Sequence, residues 1–310
     1  MSFSSDMKSE LCMLPITDMC CACAELSAIV SFSGRIRKSE SGYVFSVFTE
    51  NPKVAKRVYD LIKFVFNIQS KILISKNKAS SYCVSVKGDE QTLKILKTLD
   101  LIPQDSSIDK ILGITLNMEL MDKKCCKRAF VRGAFIVAGA MINPEKNYHL
   151  EFVTHRLRLH RQFTELLSGI GFNPKTVIRK SNYVIYFKNS EDIGDVLALM
   201  EASNSIMEYQ NTRIYKELRN DINRRMNCDM ANLDKTMDAA DKQKNAIEKL
   251  MRKGVYDSLP DQLKSVAELR LEHSDMTLSD MGKLLVPPIS KSGVNHRLRK
   301  IVELADRYDD

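Results

Sequence analysis

The chain repeats itself. Residues 20–34, CCACAELSAIVSFSG, and residues 125–139, CCKRAFVRGAFIVAG, share one register at an offset of 105. Cys20 matches Cys125, Cys21 matches Cys126, Ala24 matches Ala129 and Gly34 matches Gly139. The register continues through Tyr43/Tyr148, Thr49/Thr154 and Leu61/Leu166, then drops to 101, with Tyr82 on Tyr183. A duplicated unit builds the same motif twice, and the drop places a shorter hairpin loop in the second copy. Each copy opens on an apolar helix, at 22–33 and 127–138. Strands with period-two alternation follow, YVFSVFT at 43–49 and YHLEFVT at 148–154. A helix at 52–66 or 157–168 comes next, then a second hairpin, then a helix at 89–99 or 190–200. The order is αββαββα twice. The expected fold class is α+β with antiparallel sheets, followed by an all-α C-terminal domain.

The segments LSAIVSFSG (26–34) and VRGAFIVAG (131–139) resemble two degenerate LAGLIDADG motifs, the helical signature of homing endonucleases. Small residues at Ser27, Ala28, Gly133 and Ala134 allow two such helices to pack closely across a pseudo-twofold axis. In that family the residue before the final Gly is an acid, and the two acids bind the metal ions that assist phosphodiester hydrolysis. Here those positions are Ser33 and Ala138, neither of which offers the anionic oxygen that a hard divalent cation requires. The resemblance therefore implies a sheet platform that lies along a duplex without cutting it, and no catalytic residue is assigned.

The protein carries 47 Lys/Arg against 39 Asp/Glu, a net charge of +8. Of these, 14 basic and 15 acidic residues lie from Cys228 onward, so the surplus belongs to the first 227 residues. That excess favours a polyanionic partner, double-stranded DNA among them. Residues 4–10 are polar and no apolar run reaches the length of a membrane span. The expected location is cytoplasmic and nucleoid-associated, with no membrane partner. The eight cysteines are then expected to be reduced thiols.

Helical stretches are expected at 203–222 and 232–252, joined by RNDINRRMNCDMANLDKT (219–236) as a linker. Arg213, Lys216, Arg219, Arg224 and Arg225 are candidate phosphate contacts there, against the alternative of a solvated face. Three short helices follow. The first starts near Pro260 and buries Leu263, Val266, Ala267 and Leu271. The second is capped by Thr277, with Asp280 three residues on, and has Leu278, Met281 and Leu284 as its inner stripe. After VPPIS, Ser290 caps a third helix whose buried face is Val294, Leu298, Ile301 and Ala305. Its outer face collects Lys291, Ser292, Asn295, His296, Arg299 and Lys300, and no acidic residue occurs from 286 to 302. A basic, Asn-bearing face of this kind suits a recognition helix entering the major groove. The assigned DNA-binding residues are Ser290, Lys291, Ser292, Asn295, His296, Arg297, Arg299 and Lys300.

Cys20, Cys21 and Cys23 precede the first repeat helix; Cys125 and Cys126 precede the second. A zinc site with thiolates from both copies is the sharper reading, but adjacent cysteines rarely chelate one tetrahedral ion, so they are read as buried thiols behaving as small apolar residues, with no metal site and no stoichiometric zinc expected. The five histidines have no metal-ligand spacing, and the chain contains no P-loop, no GxGxxG and no nucleophile motif. No cofactor is assigned.

Taken whole, the sequence resembles the WhiA sporulation regulators. The resemblance rests on MSFSSDMKSEL at the start, CCKRAFVRGAFIVAG in the middle, RRMNCDMANLDKT at the linker and ISKSGVNHRLRKI near the end. Pro287 and Pro288 stand where the resemblance leads one to expect a Gly-rich stretch. It implies a non-catalytic bacterial DNA-binding protein in transcription regulation. Such proteins serve sporulation in mycelial actinobacteria, and cell division and chromosome segregation in low-GC Gram-positives. Division or transcription proteins are further candidate partners, and a monomer is compatible with an internal repeat. The expected domains are 1–222 for the duplicated unit, 223–257 for a helical linker and 258–310 for the helix-turn-helix. A nucleoid-associated or division scaffold with secondary DNA contact is the alternative; an active endonuclease fits less well.

Overall fold

The computed structural model describes residues 2–40, 42–75, 81–104 and 121–308. It divides into two compact units, Met1–Lys216 and Glu217–Asp310.

In the first unit the duplication is visible element by element. The first copy comprises α2 (Met19–Ser33), β1 (Gly34–Ser39), β2 (Gly42–Thr49), α3 (Pro52–Phe66), β3 (Lys71–Ser75), β4 (Ser81–Lys87) and α4 (Asp89–Thr98). The second comprises α5 (Lys124–Ala138), β5 (Gly139–Met141), β6 (Leu150–Thr154), α6 (Leu157–Gly169), β7 (Lys175–Arg179), β8 (Asn182–Phe187) and α7 (Ser190–Leu199). Helices α2 and α5 begin and end 105 residues apart, and α4 and α7 lie 101 apart. The offset changes at the second hairpin. Only Lys180 and Ser181 join β7 to β8, both in the left-handed region, whereas 76–80 between β3 and β4 lie outside the described residues. Each copy forms a four-stranded antiparallel sheet, ordered β1-β2-β4-β3 and β5-β6-β8-β7.

The caps explain why the helices start where they do. Asn51 and Asn189 accept the first-turn amides of Lys53 and Glu191 at 2.9 and 2.7 Å. Pro52 sits in the first turn of α3, where its missing N–H costs nothing. An additional helix, α1 (Phe3–Leu11), precedes the repeats and buries Phe3, Met7 and Leu11, one residue per turn. Its Glu10 carboxylate accepts the backbone N–H groups of Asn204 and Ser205 at 2.6 and 3.0 Å and so caps the next helix, α8 (Ser203–Arg252).

The core of the unit centres on the α2–α5 pair. A Cβ on Gly133 would stand 2.4 Å from the Glu25 carbonyl oxygen and 3.1 Å from the Ala28 Cβ. Only glycine permits that approach, as the small-residue pattern predicts. Glu25, buried in α2, receives Arg57 Nε at 2.7 Å and Nη2 at 2.9 Å, and Arg132 Nε at 3.0 Å. Arg132 also donates to Glu201 at 2.8 Å, and Arg57 to the Leu14 carbonyl.

Helix α8 contains the boundary between the units. The expected break between two helical stretches is absent: residues 203–252 are one helix of 50 residues. They contain neither Gly nor Pro, so nothing in the Asn-rich segment interrupts the hydrogen-bond ladder.

In the second unit Ala246, Ile247 and Leu250 of α8 pack with α9 (Asp261–Glu272), α10 (Leu278–Leu284) and α11 (Lys291–Asp306). Of the expected core positions, Leu278 is half-buried and two others give way to a neighbour. Leu271 is half-buried, and the neighbouring Arg270 is buried instead, its guanidinium donating to the Ser274 and Met276 carbonyls at 3.1 and 2.9 Å. Burial pulls its pKa down. Leu284 is 56% exposed, and Leu285 takes its place in the core. The helix ends at Leu284, and the extended backbone of Leu285 turns that side chain inward.

Candidate nucleic-acid interface

The turn before α11 sets the angle of the last two helices. Thr277 caps α10 by accepting the Asp280 N–H at 3.2 Å, while its hydroxyl donates to the Asp280 carboxylate at 2.8 Å. That bond, together with the larger contribution of Lys283 at 2.7 Å, holds the Asp280 carboxyl below its ordinary pKa. The chain then folds back so that the Ile289 N–H donates to the Gly282 carbonyl at 3.0 Å. A Cβ on Gly282 would meet the Ile289 carbonyl oxygen at 2.3 Å. Alanine in a helix interior gains about 1 kcal/mol over glycine, but overpacking against backbone costs about 1–3 kcal/mol. Gly282→Ala is therefore expected to lower the thermal midpoint of the full chain in calorimetry; an unchanged or raised midpoint contradicts the close approach.

Ser290 caps α11 by accepting the Gly293 N–H at 3.2 Å, and its hydroxyl lies 2.9 Å from that of Ser292. Val294, Leu298, Ile301 and Ala305 are buried, as their spacing predicts. Lys291, Ser292, Asn295, His296, Arg299 and Lys300 are exposed. At about 100° per residue, Ser292, Asn295, His296 and Arg299 form one continuous outer face. Lys291 and Lys300 flank it, and Glu303 lies at its far end. Two assigned residues occupy other places. Ser290 is engaged as the cap, and Arg297 is half-buried, with Nη1 at 3.4 Å from the Gln262 carbonyl of α9.

The strand registers define a second surface in the first unit. Phe45, Val47, Val84 and Val86 point to the helices and are buried. The opposite sheet face carries, across four strands, the row Arg35, Ser46, Ser85 and Lys71, and beside it Arg37, Val44 and Lys87. All four of those basic residues are exposed. The corresponding row of the second sheet is Ala140, Glu151, Tyr186 and Lys175, with Arg179 beyond it. There Glu151 lies 2.9 Å from His149 Nε2 and 3.6 Å from Arg179. The first sheet thus presents the stronger basic face.

Ser33 and Ala138 are the last residues of α2 and α5. Ser33 donates to the Phe48 carbonyl at 3.4 Å. A cation lies at this end of α2: Arg156 donates to the Ser31 carbonyl at 2.7 Å and the Gly34 carbonyl at 3.3 Å. Burial lowers its pKa. The equivalent residue of the first copy is Asn51, so the repeat register gave no sign of this arginine.

Family models match three consecutive stretches of the chain. The WhiA N-terminal LAGLIDADG-like domain covers 19–102, the WhiA LAGLIDADG-like domain 127–219 and the WhiA C-terminal HTH domain 222–305. The chain belongs to the WhiA family. A protein of Alkaliphilus metalliredigens named "Probable cell division protein WhiA" is 40% identical over 313 residues, covering 99% of this chain and 98% of that protein. One of the same name from Clostridium botulinum (strain Eklund 17B / Type B) is 41% identical over 314 residues, with 99% and 98% covered. The crystal structure of full-length DUF199/WhiA from Thermatoga maritima covers both chains completely at 20% identity, with a TM-score of 0.61, and shares the fold. The WhiA helix-turn-helix implies DNA binding, and the duplicated WhiA domain is a degenerate LAGLIDADG fold.

The five basic residues singled out along α8 are scattered around this WhiA chain's longest helix. Arg213 donates to Glu191 at 3.3 Å, and Lys216 lies 4.8 Å from the Tyr148 ring centroid. Arg219, Arg224 and Arg225 are exposed, with Arg224 at 3.8 Å from Asp221. At about 100° per residue Arg219 and Arg225 point away from each other, so the set forms no single phosphate stripe.

The cysteines give the largest departure from the sequence reading. Linear spacing separates the pairs by a hundred residues, yet the α2–α5 packing brings Cys20, Cys21, Cys125 and Cys126 together, every Sγ within 4.8 Å of the others. Burial pushes the Cys21 and Cys126 thiols up to about 12, and the Cys21 hydrogen bond draws the Cys125 thiol down. The signal in the sequence was the exact repetition of CC at one register.

Proposed function

We propose that this protein is a sequence-preferring, non-catalytic DNA-binding regulator that acts in transcription, cell division and chromosome segregation. The observation that carries the reading is the outer face of α11, where Ser292, Asn295, His296 and Arg299 are exposed between two lysines with no acid before Glu303. Asn and Arg side chains at the N-terminal half of a recognition helix offer bidentate contacts to adenine and guanine edges. The names of the curated relatives support the cell-division setting. The basic face of the first sheet, with Arg35, Arg37, Lys71 and Lys87, supplies phosphate contacts of no sequence preference.

Two features support the absence of cleavage. The positions the LAGLIDADG resemblance marks for metal-binding acids are Ser33 and Ala138, and the Arg156 guanidinium lies beside the end of α2. A fixed cation there repels Mg2+. With magnesium and supercoiled DNA, no nicking is expected above the background of a mock preparation.

Mobility shifts across a salt series test the reading. If six or more phosphates are contacted, affinity for duplex DNA falls roughly a thousand-fold or more from about 50 to 200 mM salt. A flat salt profile contradicts DNA as the ligand and favours a division scaffold.

A further inference from the structure

The four-thiol cluster is not among the residues assigned to DNA, and it follows directly from the duplication. Cys20 and Cys21 are the second and third residues of α2; Cys125 and Cys126 are the second and third residues of α5. The two helices pack closely through Gly133, so symmetry-related pairs from opposite repeats meet at the helix starts.

We propose that Cys20, Cys21, Cys125 and Cys126 bind one thiophilic d10 metal ion, Zn2+ in the first instance, in an all-sulfur tetrahedral site that ties the two repeats together.

The geometry matches a single ion. Four thiolates at about 2.3 Å from a tetrahedral centre hold their sulfurs about 3.8 Å apart. Cys125 and Cys126 Sγ already lie 3.9 Å apart, and no pair in the group exceeds 4.8 Å. The remaining closure is about 1 Å at most. Sulfurs this close surround one ion, whereas a multi-iron cluster spreads its cysteines further apart. No carboxylate or imidazole belongs to the group, so the donor set disfavours Mg2+ and Ca2+.

The ion itself displaces the thiol protons on binding, and the surroundings offset part of the resulting thiolate charge. Neither α2 nor α5 has a side-chain cap, so first-turn N–H groups and the positive ends of both helices lie beside the sulfurs. Lys124, Lys127 and Arg128 add positive charge on α5. Four thiolates around a divalent ion carry a net charge of −2, which these groups offset. A cavity of about 210 Å3, lined by Asp18, Cys21, Cys125 and Arg128 among others, borders two of the four sulfurs. Entry of the ion displaces four protons, with no change of oxidation state. Cys20 and Cys23 stand in CxxC spacing, but the group that converges is Cys20, Cys21, Cys125 and Cys126, so two symmetry-related CC pairs supply the convergence that a CxxC pair supplies within one loop.

Cobalt titration of the full chain, reduced and stripped with a chelator, tests the site. The expected result is saturation at one Co2+ per chain, with thiolate-to-cobalt charge-transfer absorption and the intense visible bands of tetrahedral cobalt, both abolished by added Zn2+. Cys21→Ser and Cys125→Ser are expected to lose these bands. Cys125 is exposed, so its variant keeps the fold, checked by circular dichroism. Cys23→Ser and Cys228→Ser are expected to titrate as wild type. Folded, reduced wild-type protein without a charge-transfer band overturns the proposal, as does unaltered cobalt binding by Cys125→Ser.

Discussion

Glu25→Gln is expected to destabilise the duplicated unit by about 3–5 kcal/mol, the cost of leaving buried charge without its partner. Glu25 is 1% exposed and sits between two guanidiniums. Arg57 reaches it from α3 of the first repeat and Arg132 from α5 of the second. One carboxylate therefore compensates cations of both copies. Glutamine has nearly the same shape but no charge, and its amide N–H2 has to face a donor. Arg132 keeps Glu201, which is half-exposed, whereas Arg57 keeps only the Leu14 carbonyl and distant charge. The contrast is Lys56→Ala, which removes an i,i+4 pair with Asp60 whose side chains are 76% and 37% exposed. That pair contributes about 0.3–0.5 kcal/mol at most. Chemical denaturation of the full chain measures both. A Glu25→Gln midpoint close to that of Lys56→Ala removes the central role of this network.

The same network shows which parts of the structure were legible in the sequence. Helices α3 and α7 were readable because the repeat supplied a second reading of each element, whereas the Asn51 and Asn189 caps that fix their starts emerge in the structure. The α2–α5 contact was readable because Gly133 and Ala28 leave space that larger side chains would fill. Glu25 gave no such signal. Its partners lie 32 and 107 residues away, and its equivalent in the second copy is the buried Phe130. Arg156 was hidden for the same reason, since Asn51 occupies its place in the first copy. Helix α1 was missed because a stripe of Phe3, Met7 and Leu11 is one residue wide amid polar neighbours. The continuity of α8 is hidden by an Asn-rich stretch of linker-like composition, although 203–252 contain neither Gly nor Pro. Within the helix-turn-helix, caps and buried spacing were local and legible. The division of α11 into reading, capping and docking residues depended on Gln262 and on where the turn places Ser290.

That division gives the second large expected effect. Asn295→Ala and Arg299→Ala are each expected to reduce discrimination between specific and random DNA by about 1–3 kcal/mol. Both side chains are exposed on the outer face, so the thermal midpoint should barely move. The salt slope separates their roles. Asn295 is uncharged, and its loss should leave the slope unaltered. Arg299 lowers the slope by about one if it contacts a phosphate and leaves it unaltered if it reads a base edge. Arg297→Ala should behave differently. Its guanidinium reaches the Gln262 carbonyl of α9, so its removal loosens how α11 is held and weakens binding to specific and random sequences alike. Binding to a selected site in the presence of excess random competitor measures all three. If Asn295→Ala and Arg299→Ala retain wild-type discrimination while Arg297→Ala loses it, the base-reading surface lies elsewhere on the helix-turn-helix. If all three retain it, sequence preference resides outside α11, and the basic row of the first sheet becomes the surface to mutate next.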